Sequence, residues 1–132
     1  MKTKTIKQFV VIKASPEEVY DALMDSQKHT KFTGSKAVIG KKVGEEFSAY
    51  EGGLSGKNVE LVKGKKIVQL WFCSMEHWPK GHYSKVTFSL EKVKGGTKID
   101  FTHEEVPQSS YKDIEQGWEE HYWKKLKKYF ER

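Results

Sequence analysis

The last stretch of the chain, Gly117 to Phe130 (GWEEHYWKKLKKYF), limits the fold more than any other stretch. If it forms a helix with about 100° between successive residues, its large apolar side chains gather on one side and its lysines on the other. The apolar stripe consists of Tyr111, Ile114, Trp118, Tyr122, Leu126 and Tyr129, with Trp123 and Phe130 on one flank. A stripe this wide is too large to leave in water, so the preceding chain must supply a curved surface that receives it.

The length of 132 residues predicts one domain that buries enough surface to fold without a disulfide or a metal. Cys73 is the single cysteine, which excludes an internal disulfide and favours a reducing compartment. The N-terminal apolar run is too short for a signal peptide or a membrane span. We therefore expect a cytoplasmic, monomeric protein.

The formal net charge of +6 raises nucleic acids and anionic membranes as partners. Nearly every cation is a lysine, since Arg132 is the single arginine. Proteins that read bases and phosphates favour the planar fork of arginine, whereas lysine is typical of solvated surfaces. The lysines are also interspersed with glutamates along the whole chain, so the composition disfavours a nucleic-acid partner.

The first 33 residues predict a strand followed by one or two short helices. Residues 3–13 are rich in β-branched side chains and favour the strand. Ser15, Pro16 and Glu18 then form an N-terminal capping box for a helix. That helix should end near Ser26, and residues 28–33 favour a second helical turn.

After residue 36 the sequence consists of short apolar runs separated by glycine turns, and this pattern predicts consecutive strands. The predicted strands are residues 37–39, 47–50, 54–62, 67–73, 84–94 and 97–106. Pro107 breaks the last strand, and Ser110 to Asp113 offers a capping box for the final helix. The fold class is therefore α+β, with a mainly antiparallel sheet of six or seven strands covered on one face by the C-terminal helix.

Several short motifs occur in an order that resembles a known family. They are Ser55-Gly56, Glu60-Leu61-Val62, Lys66-Ile67-Val68 with Trp71, Trp78-Pro79-Lys80-Gly81-His82, Val86-Thr87, Gly96-Thr97, Val106-Pro107 and Gln116-Gly117-Trp118. Together they are similar to the Aha-type family, the homologues of the activator of the heat-shock protein 90 ATPase. The resemblance is to the C-terminal domain of the eukaryotic activator, and it does not extend to the larger N-terminal domain that does much of the chaperone docking. The resemblance is consistent with two alternatives, a stand-alone relative of the activator and a domain of a longer protein.

The resemblance implies the helix-grip fold of the START-like (SRPBCC) superfamily, in which a curved antiparallel sheet wraps a long C-terminal helix. It also implies a non-enzymatic, co-chaperone-like module without a cofactor, which binds a heat-shock chaperone ATPase and is linked to the stress response. The alternative is a carrier or sensor that holds a small hydrophobic ligand between the sheet and the helix. An enzyme of the same superfamily, such as a cyclase or hydrolase, ranks last because the sequence lacks a placed acid–base pair.

The candidate ligand-binding residues lie on both sides of the expected cavity. They are Trp71, Phe88, Phe101, His103, Trp118, Glu119 and Tyr122. His103 shares a strand face with Ile99 and Phe101. There are two alternatives for its ring: a hydrogen bond to backbone or water, or a role as the polar group that holds a ligand. Glu115 and Glu119 fall within the aromatic stripe, where two buried carboxylates would cost several kcal/mol. We therefore expect this half of the helix to be exposed, or to line a wet end of the cavity.

The remaining candidates lie in and before one loop. An exposed Trp78 beside Pro79 and Lys80 is a credible hot spot for a protein partner, whereas a partly buried Trp78 would be a lid on the core. Cys73, His77 and His82 lack the spacing of a structural zinc site, and no base or orienting group is placed beside the thiol. We expect no metal site and no catalytic residue.

Overall fold

The computed structural model describes residues 2–75 and 77–131. The strands in these residues are β1 (Thr3–Ile12), β2 (Val38–Ile39), β3 (Glu46–Ala49), β4 (Leu54–Val62), β5 (Lys66–Cys73), β6 (Ser84–Val93) and β7 (Gly96–Pro107). The helices are α1 (Pro16–Met24), α2 (Ser26–Thr33), α3 (Tyr111–Trp118) and α4 (Lys124–Tyr129). A π turn, Glu119–Trp123, joins α3 and α4 into one continuous C-terminal helix over residues 111–129.

The strands form one sheet in the order β1-β7-β6-β5-β4-β3-β2, and each neighbouring pair is antiparallel. The pairing shifts register between Lys4 and Ile6 and between Asn58 and Glu60, and such bulges increase the twist of a sheet. The C-terminal helix packs on the inner face, where the rings of Phe101 and Trp118 are 4.3 Å apart. This is the predicted α+β helix-grip architecture, and that prediction is confirmed.

The two predicted capping boxes have different outcomes. The Ser15 box is confirmed, because Ser15 Oγ accepts from the Glu18 N–H at 3.1 Å and Glu18 Oε1 accepts from the Ser15 N–H at 3.0 Å. The Ser110 box is wrong. A 3-10 turn, Gln108–Ser110, precedes α3 and leaves Ser110 in a helical backbone conformation rather than the extended one that capping requires. Among the described residues, the buried Ser110 Oγ has no hydrogen-bond partner.

These two serines give a matched pair of stability predictions. Ser15→Ala removes a working cap and should lower the free energy of unfolding by about 1 kcal/mol. Ser110→Ala removes a buried hydroxyl without a partner, so it should leave the free energy of unfolding unchanged or raise it slightly. Urea denaturation followed by circular dichroism measures both, and equal losses in the two variants would contradict the assignment.

Because of the π turn, the C-terminal helix buries Trp123, on the flank of the apolar stripe, together with the stripe residue Trp118. The Lys124 N–H donates to the carbonyl oxygen of Glu119, a step of five residues rather than four. A five-residue step brings Trp118 and Trp123 onto one face, where their rings stack 5.6 Å apart at an angle of 24°. A regular α-helix would leave Trp123 on the flank, where the sequence pattern placed it. Within the described residues, no helix is both long enough and apolar enough to cross a membrane.

Candidate functional site

A cavity of about 290 Å³ lies beside the first half of the C-terminal helix. It is lined by Tyr50, Gly53, Leu54, Trp71, His103, Asp113, Ile114, Gly117, Trp118, His121 and Tyr122. Asp113 and His121 are exposed and mark its mouth, whereas Trp71 and His103 are buried and form its inner wall. Small-ligand sites usually measure roughly 300–1,000 Å³, so this cavity suits a small ligand.

His103 belongs to a chain of hydrogen bonds along the inner wall. Trp118 Nε1 donates to His103 Nδ1 at 3.0 Å. Because an indole nitrogen is only a donor, Nδ1 must carry the lone pair, and Nε2 carries the proton and donates to Ser84 Oγ at 2.7 Å. The Ser84 hydroxyl in turn donates to the carbonyl oxygen of Trp71 at 3.2 Å. Both ring nitrogens of His103 are therefore satisfied within the protein.

The protonation state of His103 agrees with this network. Burial lowers the pKa of His103 from 6.5 to about 3, so the ring is neutral near pH 7. A proton on Nδ1 would point at the Trp118 N–H and break the bond between them. Of the two roles that the sequence left open, the geometry matches the hydrogen-bonded one, with side chains as partners.

A second buried histidine holds Tyr122 from the opposite side. His29 Nδ1 donates to the carbonyl oxygen of Leu23 at 3.0 Å, which leaves Nε2 to accept the Tyr122 hydroxyl at 3.0 Å. Burial lowers the pKa of His29, and burial raises the pKa of Tyr122 well above its usual value. Both side chains are therefore neutral near pH 7, and the Tyr122 ring is fixed in the cavity wall.

Tyr50 covers the mouth of the cavity. Its hydroxyl donates to the carbonyl oxygen of His121 at 2.6 Å, and its ring lies 6.0 Å from that of Tyr122. Tyr50 and Glu51 have φ angles of 50° and 56°, in the left-handed region. Such a conformation costs on the order of 1–3 kcal/mol per non-glycine residue and is enriched at ligand sites and switches.

Comparison with known proteins assigns the family. The family model described as "Activator of Hsp90 ATPase homolog 1-like protein" matches residues 13–131. The chain belongs to this family.

The curated relatives that this chain matches are longer than the chain itself. The "Activator of 90 kDa heat shock protein ATPase homolog" of Dictyostelium discoideum is 32% identical over 130 residues, which cover 97% of this chain and 33% of the relative. The human "Activator of 90 kDa heat shock protein ATPase homolog 1" is 28% identical over 116 residues, which cover 88% of this chain and 34% of the relative. The chain thus spans about a third of the length of the curated relatives it matches.

A solved structure has the same fold over most of its length. The crystal structure of an HSP90 activator from Plasmodium falciparum aligns with a TM-score of 0.82 and 28% identity, covering 89% of each chain. The resemblance to the Aha-type family, first indicated by the ordered motifs, is confirmed.

In this family member, the structure brings together part of the predicted ligand site. The predicted residues that line the cavity are Trp71, His103, Trp118 and Tyr122. Phe88 and Phe101 lie behind that wall, with ring centroids 5.9 and 4.3 Å from that of Trp118. Glu119 is exposed and does not line the cavity, while Glu115 is half-buried. The expectation of exposure therefore describes Glu119 well and Glu115 in part.

Sequence reasoning missed much of the cavity mouth. The missed residues are Tyr50, Gly53, Leu54, Asp113, Ile114, Gly117 and His121. Gly117 was the residue that could have indicated a cavity beside the helix. Glycine inside a helix is less favourable than alanine by about 1 kcal/mol, so its presence there needs a reason. A Cβ built on Gly117 would meet nothing closer than His121 Cδ2 at 3.9 Å, so close packing does not explain the glycine. The missing side chain leaves space in the cavity wall.

Of the two alternatives that the sequence left open for Trp78, the structure has the buried one and not the exposed hot spot. The side chain is only 6% exposed, and its Nε1 donates to the carbonyl oxygen of His82 at 2.8 Å. The loop folds Trp78 back against Phe72, with ring centroids 6.5 Å apart, because a bare indole would leave a large apolar area in water. Pro79 is half-buried and Lys80 is exposed.

Cys73, His77 and His82 do not form a site in the structure. Burial raises the pKa of the Cys73 thiol to about 12, which keeps it protonated and unreactive. His82 Nε2 donates to the carbonyl oxygen of Glu105 at 2.7 Å, and His77 is exposed. Over residues 2–75 and 77–131, no three metal-binding side chains lie close enough together to hold an ion.

Proposed function

We propose that this chain is a non-enzymatic, co-chaperone-like module that binds an Hsp90-type chaperone and increases its ATPase rate. The family match over residues 13–131 is the observation that carries the proposal. Binding rather than catalysis is supported by the cavity, where His103 is neutral with both nitrogens occupied, and by the protonated thiol of Cys73. His103 and Cys73 therefore lack the pKa and the free geometry of a general acid or base.

The outer face of the sheet offers a surface for the chaperone. Alternation along β5 places Phe72 on the face opposite Trp71, where its ring lies 5.9 Å from that of Tyr83. Tyr83 is 49% exposed and borders an open groove of about 450 Å³ that also contacts Lys57 and Leu70. We define the outer patch as Phe72, Pro79, Lys80 and Tyr83, with Trp78 as its buried support. Tyrosine and other aromatic residues are enriched at protein-binding hot spots.

Tyr83→Ala should weaken chaperone binding by about tenfold or more, because hot-spot aromatic residues contribute at least that much. Phe9→Ala is the matched control, since Phe9 is 71% exposed but lies on β1, at the edge of the sheet. Chaperone ATPase rates and amide shift changes in the labelled chain measure the effect. If adding the chaperone shifts no amide resonance of the chain, the proposal fails. Equal losses of chaperone affinity in the two variants would place the interface away from Tyr83.

A second candidate function is carriage or sensing of a small hydrophobic ligand. The cavity of about 290 Å³ supports it, because buried aromatic side chains form most of the inner wall. Native mass spectrometry of gently prepared protein should show a bound small molecule, and a panel of lipids and aromatic compounds should raise the melting temperature. Gly117→Leu should abolish both effects by filling the space left at that position. Bare chain in the spectrum together with no thermal shift would rule out this function.

A further inference from the structure

The indole and tyrosine donors of the cavity wall are already used inside the protein. The indole N–H of Trp71 donates to Gln69 Oε1 at 2.8 Å, and that of Trp118 donates to His103. The hydroxyls of Tyr50 and Tyr122 donate to the His121 carbonyl and to His29. A carboxylate, phosphate or carbonyl ligand would therefore find none of these donors free, and burying such a group without a donor is unfavourable.

The inner wall of the cavity is formed by buried aromatic rings. The rings of Trp71 and Trp118 are 5.0 Å apart at 50°, and those of Trp118 and Tyr122 are 4.7 Å apart at 42°. The three tilted rings form a continuous wall, which we call the aromatic wall. The face of an aromatic ring carries negative electrostatic potential and attracts cations, tryptophan most strongly.

The charges around the cavity favour a cation as well. Among the described residues that line the cavity, Asp113 is the only one with a carboxylate side chain, and none is a lysine or an arginine. One lysine contacts a ring at the mouth of the cavity. The Nζ atom of Lys125 lies 5.7 Å from the centroid of the Tyr50 ring. Lys125 Nζ also donates to the Thr33 carbonyl oxygen at 2.8 Å. One face of Tyr50 thus already binds a cation.

We propose that the cavity binds a quaternary ammonium group, with the aromatic wall of Trp71, Trp118 and Tyr122 against its methyl groups and Asp113 at the mouth balancing its charge. This ligand class needs no hydrogen-bond donor from the protein, and it has none to satisfy itself. Its apolar methyl surface also suits a mainly apolar cavity. The proposal rests on the second candidate function and specifies its ligand chemistry.

The test compares choline with 3,3-dimethylbutan-1-ol, in which carbon replaces the charged nitrogen and the shape is unchanged. Titrations at low ionic strength, followed by tryptophan fluorescence and amide shifts, give both dissociation constants. Choline should bind roughly thirtyfold more tightly than the neutral compound, the size of a cation–π contribution in a desolvated site. Shift changes should centre on Gly117, Trp118 and Tyr122.

Three variants locate the binding and its cause. Asp113→Asn should weaken choline binding roughly threefold, the scale of an exposed ion pair, and leave the neutral compound unaffected. Glu119→Gln is the matched control, because it removes a carboxylate from the same helix that does not line the cavity. Gly117→Leu should abolish binding of both compounds, and it should fold because helix propensity favours leucine over glycine.

The other outcomes separate the two proposals. Equal affinity for both compounds would overturn the cation proposal and leave the hydrophobic-ligand function standing. Absence of binding by choline, the neutral compound and the lipid and aromatic panel would overturn both. Choline binding that survives Gly117→Leu, or that Glu119→Gln weakens as much as Asp113→Asn, would place the cation outside the cavity and overturn the assignment.

Discussion

Acidification from pH 6.5 to about pH 4.5 should lower the free energy of unfolding by about 2–3 kcal/mol through His103 alone. In the folded protein the pKa of His103 is about 3, while in the unfolded chain it returns to its ordinary value of 6.5. Between these two values the unfolded chain holds a proton that the folded protein lacks. Stability is therefore complete above pH 6.5 and is lost as the pH falls toward 3. His29, whose pKa burial also lowers, acts in the same direction.

The matched variant for this prediction is His103→Gln. Its amide can accept from Trp118 Nε1 and donate to Ser84 Oγ, so it replaces both hydrogen bonds without a titrating group. Urea denaturation at a series of pH values gives the slope of stability against pH. The variant should lose up to about 1.4 kcal/mol per pH unit of that slope below pH 6. An unchanged slope would show that His103 does not control the acid sensitivity.

Trp123→Ala should cost about 3–5 kcal/mol of folding free energy, the range for deleting a large buried aromatic side chain. Trp123 is 1% exposed, and its ring contacts those of Phe101 at 5.1 Å and Trp118 at 5.6 Å. Its Nε1 also donates to Gln8 Oε1 at 2.7 Å, which ties the C-terminal helix to β1. Losses of this size are a large fraction of the stability of one domain.

Two further variants separate packing from hydrogen bonding. Trp123→Phe keeps most of the ring contact but loses the bond to Gln8, so it should cost less than Trp123→Ala. Tyr129→Ala removes a half-buried ring from the same helix and is the control for aromatic truncation in general. Urea midpoints measured by circular dichroism order the variants. A Trp123→Ala loss no greater than that of Tyr129→Ala would contradict the central position of Trp123.

The sequence predicted the architecture well because local signals and fold agree over most of the chain. The run Leu54–Val62 is predicted and observed with the same bounds, and alternation identified β6 to within one residue. Ser15 was recognisable as a cap because its partner Glu18 is three residues away. Signals of this kind lie within a few residues of each other and do not depend on the rest of the fold.

The cavity was predicted only in part because its mouth depends on distant residues. Tyr50 reaches the site through a left-handed backbone, and its hydroxyl meets the carbonyl oxygen of His121, far along the chain. The phase of Glu119 and Trp123 on the helix changes at the π turn, which a fixed period of 100° cannot reproduce. The sequence could not decide whether Trp78 is exposed or buried, because only the tertiary structure shows that Phe72 lies beside it.

The π turn also divides the C-terminal helix into two parts with different tolerance to change. A π turn amounts to one residue inserted into an α-helix, so it offsets the rotational phase of everything on one side from everything on the other. Removing that extra residue would restore regular winding and leave α3 and α4 on their present faces, whereas winding the same residues as a regular α-helix would turn α3 by about 100° relative to α4. Trp118 would then leave its place beside Trp71 on β5 while Leu126 kept its place in the core. The aromatic wall therefore depends on the extra residue of this turn.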